Sequence, residues 1–474
     1  MYSSCLVNGV NGHIPASERI PSIVRHLVSE RAKQCIDTVE RFVEQECIPA
    51  DPVFEAALGQ TTQERFSAHP AILEDLKSRA RALGLWNLFL PRNHFHGLGA
   101  DFTNLEYALM AELLGKSMIA SEACNCSAPD TGNMELLAKY GNAEQKKLWL
   151  EPLLEGTIRS AFLMTEPGVA SSDATNIGPG LRMERARDGG WVLNGEKWWS
   201  SGAGDLRCKV YIVLGRTDPT NEDLYRQHSV MVVPSDTPGV TVKRVLSVIG
   251  FDHAPEGHAH ISFNNVHVSK ASVILGEGRG FEVVQGRLGP GRIHHAMRSI
   301  GAAEKALEWT LARVGDPSQT TFGKPLAEHG MLIERVAQSR IDIDAARLAV
   351  LNAAQKIDEG DAKHALKEIA EVKVLVPKVM TKVIDRAIQA NGGAGVSQDT
   401  PLAAMSAIAR MMRIVDGPDE VHLFQLGRNE IKKGLALKGR IEAQKTRTSE
   451  MFRDYGLLQM DQLSLNRSYG ASKL

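Results

Sequence analysis

Residues 159–201 read RSAFLMTEPGVASSDATNIGPGLRMERARDGGWVLNGEKWWSS, and in this stretch the chain changes its manner of folding. Before Arg159 the apolar residues recur every three or four positions. From Arg159 onward they come in short runs rich in β-branched and aromatic residues, separated by turn signals such as Asp188-Gly189-Gly190 and Asn194-Gly195. Trp191–Leu193 opens a series of strands that continues through Lys209–Leu214, Ser229–Val233, Val240–Val245 and Ala259–Phe263. A compact β unit is expected here, spanning 159–275.

On both sides the helical period holds. Val24, Leu27, Val28, Cys35, Ile36, Val39, Phe42 and Val43 form the stripe of one core-facing helix over Pro21–Ile48, and Ile72–Leu85, Asn104–Leu114 and Asn133–Tyr140 continue the style. After Gly276-Glu277-Gly278 the same spacing returns through Gly301–Val314, Met331–Ile357 and Ala362–Ala390, until about Leu437. The predicted order is an N-terminal helical domain over 20–158, the β domain over 159–275 and a helical domain over 276–437. Residues 438–474 follow as a polar tail of weak periodicity.

Composition bounds the function. The 474 residues carry a formal charge of -1, so nothing draws the chain to nucleic acid. The six cysteines show no paired spacing, which argues against zinc or a disulfide framework. No secretory leader and no run of about 20 apolar residues is found, so a soluble, unsecreted protein without a membrane span is expected. The sequence ends in Ser472-Lys473-Leu474, the form of a peroxisomal address, and the peroxisome is the expected compartment.

Four segments hold candidate chemistry. Phe162 to Asp173 is a strand followed by a turn dense in small and hydroxyl residues, suited to a phosphate or an electron-rich ring but equally readable as an ordinary turn. Trp198-Trp199-Ser200-Ser201 offers a flat indole and two hydroxyls to an aromatic cofactor, although buried core is the commoner fate of tryptophan. Asn391-Gly392-Gly393-Ala394-Gly395 reads as a helix cap, without the strand-turn-helix setting of a dinucleotide fingerprint. In Arg413 to His422 a Gly-Pro pair interrupts two helical stretches and places Asp416 at the break, while Asp419 is better placed to cap the following helix.

Taken in order, these motifs resemble the acyl-CoA dehydrogenase family over residues 20–437. The set is Met164-Thr165-Glu166-Pro167, Asn194-Gly195-x-Lys197-x-Trp199, Gly276-Glu277-Gly278-x-Gly280-Phe281, Phe322-Gly323-Lys324-Pro325-Leu326, Gln389-x-x-Gly392-Gly393 and the acidic-Gly pair Asp416-Gly417. The wording Asp-Gly-Pro-Asp-Glu-Val-His looks like the eukaryotic subgroup often fused to a kinase-like domain. The resemblance implies an α+β fold with an N-terminal α-helical domain, a central β-barrel-like or sandwich domain and a C-terminal four-helix bundle. It also implies FAD as cofactor, an acyl-CoA substrate and a homodimer or homotetramer.

By the same resemblance, Phe162, Met164, Thr165, Ser171, Ser172, Trp199, Ser200 and Ser201 lie about the isoalloxazine ring and pyrophosphate. Gln319, Phe322, Gln389, Gly393, Pro418 and Glu420 would reach FAD across or near a subunit boundary. Ser172, Gly291, Arg292 and Gly417 would meet the substrate, and Asp416 would be the catalytic base. Two departures stand out. Many members have Glu where this chain has the shorter Asp416, and Gln319 replaces the usual Arg, with Lys324 and His329 nearby.

The implied reaction is removal of an α proton by Asp416 and of a β hydride by flavin, in fatty-acid β-oxidation, with desolvation by the bound acyl chain expected to raise the Asp416 pKa. The competing readings are an acyl-CoA or nitroalkane oxidase on the same scaffold, and a binding protein without turnover. The electron acceptor, a flavoprotein carrier or oxygen, stays open.

Overall fold

The computed structural model describes residues 14–457; the terminal Ser472-Lys473-Leu474 lies outside them. The predicted helix over Pro21–Ile48 is in fact several pieces. A turn at Ser22–Arg25 follows Pro21, and Ser29 then starts the helix Glu30–Phe42, its hydroxyl accepting from Ala32 N at 3.2 Å. A π turn at Val43–Cys47 passes the chain into Ile48–Ala57. The apolar stripe is buried at Val24, Val28, Ile36, Val39, Phe42 and Val43, while Leu27 is exposed.

Helix Asn104–Leu114 agrees with its predicted bounds and begins with a capping box, Thr103 Oγ1 accepting from Glu106 N at 3.1 Å and Glu106 Oε2 from Thr103 N at 3.0 Å. It is buried nearly all round, as a helix apolar on every side must be. Helix Asp130–Tyr140 is buried along most of its length too.

The β unit is one sheet of seven strands: β1 (Arg159–Leu163), β2 (Leu181–Arg185), β3 (Trp191–Ser201), β4 (Cys208–Arg216), β5 (His228–Pro234), β6 (Val240–Leu246) and β7 (His258–Val268). The order is β1-β4-β2-β3-β7-β6, with β5 also on β4. β1 and β2 pair β4 in parallel, and the other pairs are antiparallel. Period-two alternation gives the sheet two apolar faces. Ala161, Leu163, Tyr211, Val213, Met231 and Val233 fill a core within the β unit, whereas Val210, Ile212, Leu214, Val230 and Val232 join the helical core. Phe162 falls on the helix-facing side, and that sends it toward the candidate site.

Asn194-Gly195 is not a turn between strands. It lies inside β3 at a break in register, where Gly195 takes φ +136° opposite β2. A Cβ on Gly195 would sit 2.0 Å from the Gly180 carbonyl oxygen, so this glycine serves a close backbone approach. Gly195→Ala is expected to cost about 1–3 kcal/mol from the backbone conformation alone. A urea midpoint equal to that of the parent protein would sink this account of the bulge. β2 itself escapes the sequence pattern because Arg182, Glu184 and Arg185 outnumber its two inward residues, Leu181 and Met183.

Four helices close this body: Gly280–Gly315, Gly330–Glu359, Leu366–Asn391 and Leu402–Met412. A small hairpin, Thr320–Thr321 with Lys324–Pro325, joins the first two. Residues 14–421 form one compact unit. Residues from His422 onward form a second, made of the remainder of helix Asp419–Ile431 and helix Gly434–Asp454. The expected polar tail is therefore helical as far as Asp454. It buries no residue, so no apolar period betrays it, and the pairs Lys438–Glu442 (i,i+4) and Arg447–Glu450 (i,i+3) lie along it. Among the described residues, no helix is long and apolar enough to cross a membrane, and no cluster of three metal-ligating side chains occurs.

Candidate active site

Asp416 lies in the break between Leu402–Met412 and Asp419–Ile431, at φ +56°, with its side chain 12% exposed. Asp tolerates the left-handed region better than most residues, yet three clamps hold it there. Arg292 Nε donates to the Asp416 carbonyl oxygen at 3.0 Å. Lys373 Nζ donates to Met412 O at 2.8 Å and Gly417 O at 3.4 Å, taking up carbonyls freed where the helix ends. Arg413 grips Asp419 through Nε at 2.9 Å and Nη2 at 2.7 Å. Asp419 thus stands in an ion pair, not in the side-chain cap expected of it.

Helix Gly280–Gly315 passes alongside this break. Its residues 287, 291 and 295, four apart, share one face. A Cβ on Gly291 would lie 3.9 Å from Asp416 Oδ2, and His295 Nε2 is 3.6 Å from the same oxygen, beyond hydrogen-bond length. Arg287 sits 4.2 Å over the Phe162 ring and bonds Asn133 Oδ1 at 3.2 Å, tying β1, this helix and Asp130–Tyr140 together.

Burial works against a charge on Asp416, but the surrounding cations outweigh it and hold the carboxyl below its ordinary value. His295 is pushed down to about 3 by burial and by Arg298, so at neutral pH it is uncharged. His295 contributes most to the lowering, followed by Arg287, Arg292 and Lys373. These last three are the cations that face Asp416 at neutral pH, Lys373 being pushed down to about 8 by burial and still mostly protonated at pH 7. Asp416 therefore stands as a carboxylate; the rise expected when a bound acyl chain desolvates it belongs to the substrate complex.

The second wall is built on Glu166 and Lys197, a fully buried pair at 2.7 Å. Glu166 also accepts from the backbone N–H of Gly178, Gly180 and Leu181 at 3.0, 2.8 and 3.1 Å, and Lys197 donates to Met164 O at 2.9 Å. With Trp198 N donating to Thr165 O at 3.0 Å, the turn after β1 is fastened to the end of β3. Trp199 then projects, 40% exposed and at φ +52°. A strained, exposed indole is a poor core residue and a good platform for a flat ring.

Ser201 Oγ meets His258 Nδ1 at 2.9 Å; Ser200 Oγ is buried without a partner, facing inward. The Ser171 hydroxyl is engaged within its own turn, accepting from Glu166 N at 3.1 Å, while Ser172 is exposed. These residues fit a flavin: an open indole, a ring at Phe162 and a hydroxyl at Ser201 line the strand end.

Other predicted residues stand apart. Gln319 bonds Asp316 at the base of the hairpin, and Phe322 at its tip is 94% exposed at φ +49°. Gln389 and Gly393 are exposed at the end of helix Leu366–Asn391, and Glu420 is exposed beside half-buried Pro418 and Gly417. Gln319, Phe322, Gln389, Gly393 and Glu420 make no described contact with Phe162, Trp199 or Asp416, whereas Gly417 follows Asp416 directly and shares its Lys373 clamp. Arg287, His295, Lys373 and Asn133 were not anticipated. A lone lysine in Val372-Lys373-Val374-Leu375-Val376 and a histidine four residues after Gly291 were the available signals.

Three domains, an open indole at a strand end and a buried carboxylate at a helix break define a class: helical and β domains around a buried carboxylate. The comparisons agree with it. Models of the acyl-CoA dehydrogenase N-terminal, middle and C-terminal domains match residues 29–157, 161–266 and 278–431. The chain belongs to the acyl-CoA dehydrogenase family of oxidoreductases.

It is 51% identical over 407 residues to acyl-CoA dehydrogenase family member 11 of Gallus gallus, covering 85% of this chain and 51% of that protein. With family member 10 of Mus musculus it shares 48% over 434 residues, 90% of this chain and 40% of that one, so it spans about half the length, or less, of these relatives. It is 51% identical over 366 residues to the Mycobacterium tuberculosis protein named "Probable acyl-CoA dehydrogenase FadE2", 77% of this chain and 86% of that protein. A solved Mycobacterium abscessus structure assigned to the acyl-CoA dehydrogenases superposes with a TM-score of 0.81 at 48% identity, covering 86% of this chain and 99% of that one. Butyryl-CoA dehydrogenase of Megasphaera elsdenii gives 0.70 at 25% identity, covering 85% and 99%.

Proposed function

We propose that the protein binds FAD and removes hydrogen from the α and β carbons of an acyl-CoA thioester, giving the trans-2-enoyl-CoA in fatty-acid β-oxidation. The observation that carries this reading is the Asp416 carboxylate, ionised, clamped by Arg292 and Lys373, and set beside the helix whose Arg287 covers Phe162. FAD, held by Phe162, Thr165, Trp199 and Ser201, would supply the hydride acceptor.

Asp416 does the work of the base. It takes the α proton onto a carboxylate oxygen, and the bond's electron pair moves toward the thioester carbonyl. An apolar acyl chain entering beside Asp416 would displace water, raising its basicity from the depressed starting value. The Asp416 backbone N–H, at the helix break, is the donor for the polarised carbonyl oxygen. Exposed Phe322, with Gln389, Gly393 and Glu420, would complete the cofactor site from a second copy of the chain. The reading takes the peroxisome as compartment on the strength of Ser472-Lys473-Leu474.

The test is anaerobic titration of the purified protein with a panel of acyl-CoAs, following flavin absorbance and then admitting air. Bleaching that persists in air is expected for a dehydrogenase served by a flavoprotein carrier. Rapid recovery with peroxide release would replace that reading by an oxidase, and no bleaching with any acyl-CoA would refute the substrate class.

A further inference from the structure

Behind Ser201 lies a chain of two histidines that nothing in the reaction above uses. Ser201 Oγ is 2.9 Å from His258 Nδ1, and His258 Nε2 is 3.2 Å from His253 Nδ1. His258 is buried, and its ring packs 5.6 Å from Trp199. Burial pushes His258 down to about 4 and lowers His253 as well, so both are neutral at physiological pH and each carries one ring proton.

Where those protons sit follows from the end of the chain. His253 Nε2 is buried with no partner. If that nitrogen carried a proton, a donor would be orphaned in the interior; left bare, only a lone pair goes unmet, and native structures tolerate under-used acceptors more readily than orphaned donors. His253 therefore carries its proton on Nδ1 and donates to His258 Nε2. His258 must then carry its proton on Nδ1 and donate to Ser201 Oγ. One of the serine oxygen's two lone pairs is then occupied, and its own hydrogen is turned away from His258.

We propose that His258, oriented by His253, is a positioning residue that fixes the Ser201 hydroxyl as a hydrogen-bond donor toward the flavin ring. The proposal rests on the FAD reading given above. A donor held there favours the oxidised cofactor, whose N5 accepts, over the reduced one, whose N5 bears hydrogen.

Two measurements test it. Nitrogen-15 NMR of histidine-labelled wild-type protein, with His258 identified by its loss in H258N, should show the proton on Nδ1; a proton on Nε2 overturns the proposal whether or not flavin is bound. In flavin-bearing protein, His258→Phe frees the serine to rotate, and one hydrogen bond is worth about a tenfold shift of the oxidised-to-reduced ratio toward reduced. The midpoint potential should rise by about 30 mV for a two-electron couple. His258→Asn, whose amide N–H reaches the place of Nδ1, should restore it. An unmoved potential in H258F would sink this proposal alone, whereas a wild-type protein that takes up no FAD would fail the cofactor reading and the proposal with it.

Discussion

Asp416→Asn is expected to slow reduction of the bound flavin by acyl-CoA about 10²–10⁴-fold, the usual loss when a positioned general base is removed. The variant should still fold and hold flavin. Asn, like Asp, accepts the left-handed backbone conformation at φ +56°. Neither Arg292 nor Lys373 would lose its bond, because both hold backbone carbonyls, of Asp416 and of Met412 and Gly417. What disappears is a proton acceptor and one negative charge among Arg287, Arg292 and Lys373. Anaerobic rapid mixing reads the rate directly, and an unchanged rate would remove Asp416 from the mechanism.

Glu166→Gln should produce the largest loss of stability, about 3–5 kcal/mol, the range for breaking a buried ion pair from one side. The two Glu166 oxygens serve Lys197 and three backbone N–H groups, all of them donors. A Gln amide nitrogen must face one of those donors, so the substitution creates a donor-to-donor clash as well as an unpaired buried ammonium. The turn between β1 and β2 would loosen, and with it the link from Thr165 to Trp198. A urea midpoint matching wild type would show that the pair does not organise this wall.

The parts of this fold that were legible in the sequence are those where one periodicity runs undisturbed. Asn104–Leu114 and the change of pattern at Arg159 follow from apolar spacing alone, because burial is what spacing records. Asn194-Gly195 misleads because the same dipeptide suits a hairpin turn and a bulge, and only contact with Gly180 decides between them. The helix Gly434–Asp454 is hidden for the opposite reason: with no buried face it leaves no apolar stripe.

At the site, Asp416 is readable because Gly417-Pro418 forces a break next to it. Its electrostatic setting is not, since His295, Arg287 and Arg292 come from helix Gly280–Gly315 and Lys373 from helix Leu366–Asn391, and together they hold the carboxyl below its ordinary value although it is buried. The strained positions tell a similar story. Trp199, Phe322 and Asp416, three expected site residues, all adopt positive φ, a conformation no residue count or spacing could announce.

The most direct test of Asp416 as the base isolates proton removal from hydride loss. An acyl-CoA analogue with sulfur in place of its β carbon can lose an α proton but no β hydride. Incubated in deuterium oxide with wild-type protein, it should exchange its α hydrogens, and Asp416→Asn should abolish that exchange while the bound flavin keeps its absorbance. Exchange at the wild-type rate in the variant would contradict the account and send the search for the base elsewhere.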